Sequence, residues 1–205
     1  EADVEDASLP APPAVDCRSR PFDLGCVVVN FINVGTTFGK KVLKDVHGFH
    51  WEGVRRCVRH LTQKKRMKVV GVIFENWRAS DGLADGAREV LGVPQDIAAL
   101  CECVLEAPRL DQSHQRSADD EVTIKMAYRR NCLMLDNDNY RDWARKHPDP
   151  EIRTWLKSSQ RVLQMNYYFD SELGCFETLD GNAHGPEERA SSSEGGGLGE
   201  GGKGR

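Results

Sequence analysis

The chain has 205 residues and a formal net charge of −4, enough for one domain with a proper core and room for tails. The slightly acidic balance excludes a global basic field, so any nucleic-acid surface must be local. No apolar run reaches the ~18 residues of a membrane span and nothing resembles a signal peptide, so no membrane partner is expected.

The first 20 residues are acidic and rich in Pro and Ala without periodicity, and read as a tail or linker. Residues 187–205 are Gly, Ser and charge, a second tail, which leaves a folded domain over 21–186. Because the chain opens on Glu1, it reads as an excerpt of a longer protein. Its seven cysteines show neither repeated CxxC nor CxxC with HxxxH. They are expected as reduced thiols of an intracellular protein, cytoplasmic ahead of nuclear.

Within the domain, Cys26–Val29 is a continuous apolar run of the kind buried in a parallel sheet. Asn30 to Gly39 follows as an expected loop. His50 to Lys65 is amphipathic, with Trp51, Val54, Cys57, Val58 and Leu61 on one stripe. Val69–Phe74 is a second buried strand, and 79–92 an expected loop. Val93 to Asp96 opens a helix with Pro in its first turn, Cys103–Leu105 is a short strand, and Arg109–Ser117 a polar, mobile connection. A helix beginning near Asp119, a strand over Cys132–Leu135 and a helix over Asp149–Gln160 come next. The segments Val162–Phe169 and Cys175–Leu179 then form a hairpin on the sheet margin. Strand and helix alternate through most of this span. The fold class is therefore α/β, a three-layer α/β/α domain with a mainly parallel central sheet and right-handed crossovers.

The chemistry concentrates in Asp119–Trp143. Asp119 and Asp120 would lie at the positive end of a helix, while Asp136 and Asp138 follow the carboxyl end of a strand, where open parallel sheets bind ligands. Asp142 comes four residues after Asp138, one helical turn on. Carboxylates gathered at strand ends suit a hard cation that activates water at a phosphodiester. Acids at helix starts and turns also serve simply as caps, and spacing leaves the two readings level. No GxGxxG and no Walker loop is present, and no histidine shows ligand spacing.

The same stretch resembles the NYN ribonuclease domains of the PIN-like superfamily, and most closely the regnase (MCPIP-like) RNA-decay nucleases. The resemblance rests on Asp119-Asp120, on Ala127-Tyr128, and on Asn137, Asp138, Tyr140, Arg141 and Asp142 in NDxYRD. It extends to VVVNFINVG around Asn33, to Glu52-Gly53, to Trp77-Arg78, and to His184-Gly185-Pro186, covering nearly all of 26–186.

It implies a PIN-like fold and a Mg²⁺- or Mn²⁺-dependent endoribonuclease of mRNA decay or processing, acting on single-stranded RNA. Asp119, Asp120, Asp138 and Asp142 match the family's metal-binding acids, and Asn33 its site-orienting asparagine. Head-to-tail self-association is a further expectation, and the family's CCCH zinc finger has no counterpart here.

One position departs from the pattern. Where the family ends its first strand on a ligating aspartate, this chain has Asn30, which keeps the shape and loses the charge. Weakened cleavage, a catalytically silent RNA- or protein-binding module, and a merely relic acidic surface are the three consequences to separate. Phe31 and Ile32 also look bulky for the loop expected there.

For holding RNA, Arg78, Arg109, Arg116 and Arg141 fall on segments near the acidic edge. The run Lys64-Lys65-Arg66 and the helix residues Arg55, Arg56 and Arg59 are further phosphate candidates, against the plainer view that they are a solvated helix face. Trp77 and Tyr140 are candidate platforms for splayed bases, although Trp77 fits the core equally well.

Overall fold

In the computed structural model, which describes residues 14–45, 48–81, 88–109 and 118–179, the β-branched run forms the middle of the sheet. Strand β1 (Asp23–Asn30) is buried from Cys26 to its end. Strand β2 (Lys68–Phe74) and β6 (Cys132–Leu135) flank it in parallel, and both are apolar on both faces because helices cover both. The six-stranded order is β5-β2-β1-β6-β7-β8, with β5 at Cys103–Ala107, β7 at Gln164–Phe169 and β8 at Phe176–Leu179. All neighbours are parallel except β7 and β8, which form the expected marginal hairpin.

The chain leaves β1 toward β2 and β5, then crosses back to β6 on the other side of β1. Right-handed crossovers therefore put helices α1 (Phe31–Phe38) and α2 (Trp51–Arg59) on one face. They put α4 (Ala118–Arg130) and α6 (Pro150–Leu163) on the other.

Several segments differ from expectation. The segment after Asn30 is a helix rather than a loop. The Asn30 side chain caps it, accepting from Ile32 N at 3.0 Å and Asn33 N at 3.2 Å. Phe31, Val34 and Phe38 then make a buried stripe at helical spacing. Phe31 crowds nothing: it packs on Gly71 of β2, where a Cβ would meet its ring at 2.3 Å. The helix continues through a wide π-turn over Gly39–Leu43, and α2 likewise through His60–Lys64.

The 79–92 loop contains two antiparallel strands, β3 (Arg78–Asp81) and β4 (Arg88–Leu91), followed by the short helix α3 (Gln95–Ala98). Charge ties this region to α2, for Arg55 bonds Glu52 at 3.0 Å, Asp81 at 2.8 Å and Asp96 at 2.6 Å. The last helix runs on to Leu163, because Leu156, Ser159 and Leu163 extend its buried stripe.

Residues 14–20, assigned to a tail, dock on the domain. Val15 pairs with Pro21, buried Asp16 accepts from the backbone of Arg18 and Arg20, and Arg18 meets Glu151 at 2.6 Å. The 110–117 connection and the 187–205 tail lie outside the described residues. Among the described residues no helix is long and apolar enough to cross a membrane.

Candidate active site at the β1/β6 switch point

The reversal of strand order between β1 and β6 opens a crevice at their carboxyl ends. Asn30 ends β1 and Asp136 follows β6 there. The first turn of α4 brings Asp119 and Asp120 to the same place. Because the Asn30 carbonyl caps α1, its amide nitrogen must face the acids. It donates to Asp119 Oδ2 at 3.0 Å and to Asp120 Oδ1 at 3.1 Å. Asn30 is 1% exposed, so this three-residue bridge is buried at its centre.

Such crowding shifts the carboxyls. Burial raises the Asp119 pKa, opposed by the Asn30 hydrogen bond and by backbone donors. Asp120 is pushed up to about 8, first by burial and then by the charges of Asp119, Asp136 and Asp138. Asp136 is completely buried and raised to about 6 by desolvation, despite accepting from the Tyr140 hydroxyl at 2.5 Å and Asp138 N at 2.9 Å. Asp138 is exposed, and its charge acts on the other three.

The loop carrying Asp136 and Asp138 is braced from β7. Asn137 clamps the backbone of Tyr167 on both sides, at 3.0 and 3.1 Å. Gln164 donates to the carbonyls of Asp136 and Asp138. The Tyr167 hydroxyl donates to Asn33 Oδ1 and lies 3.1 Å from Thr37 Oγ1. One buried tyrosine therefore links the loop after β6 to the helix after β1.

The expected residues divide. Asn30, Asn33, Asp119, Asp120 and Asp138 converge on the crevice. Asp142 lies on α5 (Arg141–Lys146) with its side chain 78% exposed, near Arg145 and Lys146. It does not share a helix with Asp138, since Tyr140 takes a left-handed conformation (φ 45°) and the helix starts only after it. Asp136, expected at this edge from its position directly after an apolar strand but outside the set of metal-binding acids, stands in the cluster in place of Asp142. Tyr140 is buried on Asp136 rather than presented to bases.

Among the basic residues, Arg78 and Arg141 are exposed and Arg116 lies outside the described residues. Lys64, Lys65 and Arg66 precede β2 and sit at the opposite, amino edge of the sheet, away from the acids. Arg109 follows β5 at the acidic edge and lies over the Trp77 ring at 5.6 Å. Trp77 itself packs edge-on against Phe49.

The site supplies hard oxygen donors, two of them within 3.1 Å of one nitrogen, and that chemistry fits a divalent cation. Among the described residues no three His, Cys, Asp or Glu side chains are already drawn together at metal-cage spacing.

The model of the Zc3h12a-like ribonuclease NYN domain matches residues 23–181. That span takes in every strand of the sheet and every acid of the crevice. A domain of this kind takes RNA as its substrate, and the fold is the expected three-layer one. The chain belongs to the Zc3h12a-like ribonuclease NYN domain family.

Proposed function

We propose that the crevice is a divalent-metal-dependent endoribonuclease site for single-stranded RNA, weakened by Asn30, with Asp119, Asp120, Asp136 and Asp138 as its acids. The observation that carries this reading is the gathering of four carboxylates, Asp119, Asp120, Asp136 and Asp138, at the carboxyl ends of β1 and β6, where burial and their mutual charge push Asp120 up to about 8. A cation would balance that charge.

Mg²⁺ or Mn²⁺ held by Asp119, Asp120 and Asp138 would supply charge stabilisation at the phosphodiester and a water nucleophile competent at neutral pH. The residues do the rest. Asp120, with its raised pKa, holds a proton at neutral pH and releases it when positive charge enters. Asp138 is the exposed acid and faces incoming RNA. Asn33, its Oδ1 held by Tyr167, directs its amide donors to a phosphate oxygen. Asp136 and Tyr140 keep the loop in place. The open, acid-lined crevice admits a single strand more readily than a duplex.

A second reading, an RNA-binding domain that does not cleave, is favoured by the two Asn30 hydrogen bonds, which satisfy the acids without a cation. Incubating a labelled single-stranded RNA with Mn²⁺, Mg²⁺ or EDTA separates the two. Metal-dependent cleavage abolished by Asp138→Asn supports the nuclease. RNA binding without cleavage supports the second reading.

We place the chain in the cytoplasm, since its seven cysteines are free thiols of the kind a reducing compartment keeps. We propose head-to-tail self-association as its oligomeric state, which light scattering would read directly.

A further inference from the structure

A groove of about 400 Å³ lies between α2 and the β7–β8 hairpin, on the helical face that carries α1 and away from the acids. Arg56, Arg59, His60, Gln63 and Lys64 line it beside Leu173, Cys175 and Phe176. Its carboxylates, Glu52, Asp96 and Glu177, stand at the rim as partners of those cations rather than in the lining.

Two of its cations are weakly engaged. Arg59, 53% exposed, reaches Asp96 only at 3.7 Å, and Lys64, 67% exposed, reaches Glu177 at 3.4 Å. Exposed pairs of this kind hold little energy, so an incoming anion can displace them.

Arg56 is different. It is fixed by Glu52 at 2.9 Å and by the carbonyls of Leu173 and Gly174 at 3.1 and 2.7 Å, and it lies over the Phe38 ring at 5.2 Å. Phe38 is the last residue of α1, whose first turn is capped by Asn30. The crevice therefore lies at the first turn of α1 and the groove against its last residue, with exposed Lys40 and Lys41 on the π-turn that follows.

We infer that this groove is a second phosphate-binding track, in which Arg59 and Lys64 grip the backbone of a single-stranded RNA running on from the acidic crevice along α1. The inference rests on RNA being the ligand of the crevice. Backbone phosphates are the fitting occupant because Arg59 and Lys64 present exposed positive charge, with Gln63 beside them as a neutral donor and His60 buried. It gives the basic stretch around Lys64 a purpose that its distance from the acids otherwise denies it.

The test uses the whole chain and a fluorescent oligouridylate of about 16 nucleotides, the upper end of single-strand site sizes, alongside a labelled tetranucleotide. Binding is measured by anisotropy across a salt series in EDTA, for the starting protein and for the double variants Arg59→Gln/Lys64→Gln and Arg59→Glu/Lys64→Glu. Circular dichroism confirms the fold of each.

The track predicts weaker binding of the long RNA, with the slope of log K against log salt flattened by about 1.4 in the Gln pair, two phosphates at about 0.7 each. The Glu pair is weaker still, and the tetranucleotide, too short to span both sites, is unaffected. Long-RNA binding that keeps its affinity and salt slope in both variants overturns the track while leaving the crevice reading intact. Failure of the starting protein to bind either RNA overturns both. Self-association lost in the variants with RNA affinity unchanged would give the groove to a second copy instead.

Discussion

Replacing Asn30 by Asp changes one group by one charge at the centre of the site. The amide donates two hydrogen bonds to carboxylates, at 3.0 and 3.1 Å, and bonds to charged partners contribute about 1.5–3 kcal/mol each. The aspartate still caps α1 through one oxygen, but its other oxygen meets Asp119 and Asp120 with no proton to offer. Above about pH 8, where Asp120 has given up its proton, a loss of about 3 kcal/mol in EDTA follows, which for a domain of this size lowers Tm by roughly 6–12 °C. The loss shrinks as pH falls through about 8 and then about 6, where Asp120 and Asp136 take up protons.

A cation reverses it. At a hundredfold excess over its dissociation constant, a ligand of the folded state restores about 2.7 kcal/mol. Thermal melts of Asn30→Asp with EDTA or Mn²⁺ should thus differ by several degrees, and those of the starting protein by less. A variant that melts with the starting protein in EDTA and gains nothing from Mn²⁺ would refute the charge-balancing role of Asn30.

Other expectations follow from the same geometry. Asp120 has a folded-state pKa raised to about 8 by burial and neighbouring charge. Its contribution to stability is therefore full below about pH 4 and is lost as pH rises through about 8. Asp120→Asn should flatten the decline in Tm between pH 5 and 9, and an unchanged decline would count against that assignment. Asn131 is 3% exposed and left-handed (φ 51°), accepts from Trp155 Nε1 at 2.8 Å and donates to the carbonyls of Arg20 and Pro21. Asn131→Ala should destabilise by about 3 kcal/mol or more in urea unfolding, through orphaned buried groups and a strained backbone. Gly71→Ala would force the Phe31 ring to move from 2.3 Å. It should destabilise by about 1–3 kcal/mol and weaken RNA binding with it, since Phe31 adjoins Asn30.

The central sheet was legible because buried parallel strands are written as unbroken apolar runs, as in Cys26–Val29 and Cys132–Leu135. The helix after Asn30 was not, because Gly35 and Gly39 suggested a loop while the cap that starts the helix is a side-chain hydrogen bond with no periodicity. The 78–91 hairpin was hidden for another reason: its link to α2 is the ion network of Arg55, made by residues distant in sequence.

At the site, counting along the chain failed where the backbone broke the count. The left-handed Tyr140 separates Asp138 from Asp142, and Asp136, one residue beyond its strand, is the acid drawn inside. Tyr167 carried no signal at all, since its role exists only when β7 lies beside β6. The basic run at Lys64 is plain in the sequence as charge, but its place at the amino edge, across the sheet from the acids, follows only from the direction of β2.

The most direct measurement is Mn²⁺-dependent cleavage of a single-stranded RNA by the starting protein, Asn30→Asp and Asp138→Asn, run side by side. The account predicts slow cleavage by the first, faster cleavage by the second and none by the third. Silence from all three while the fold is intact, or cleavage that survives Asp138→Asn, would contradict the assignment of the β1/β6 crevice as the reacting site.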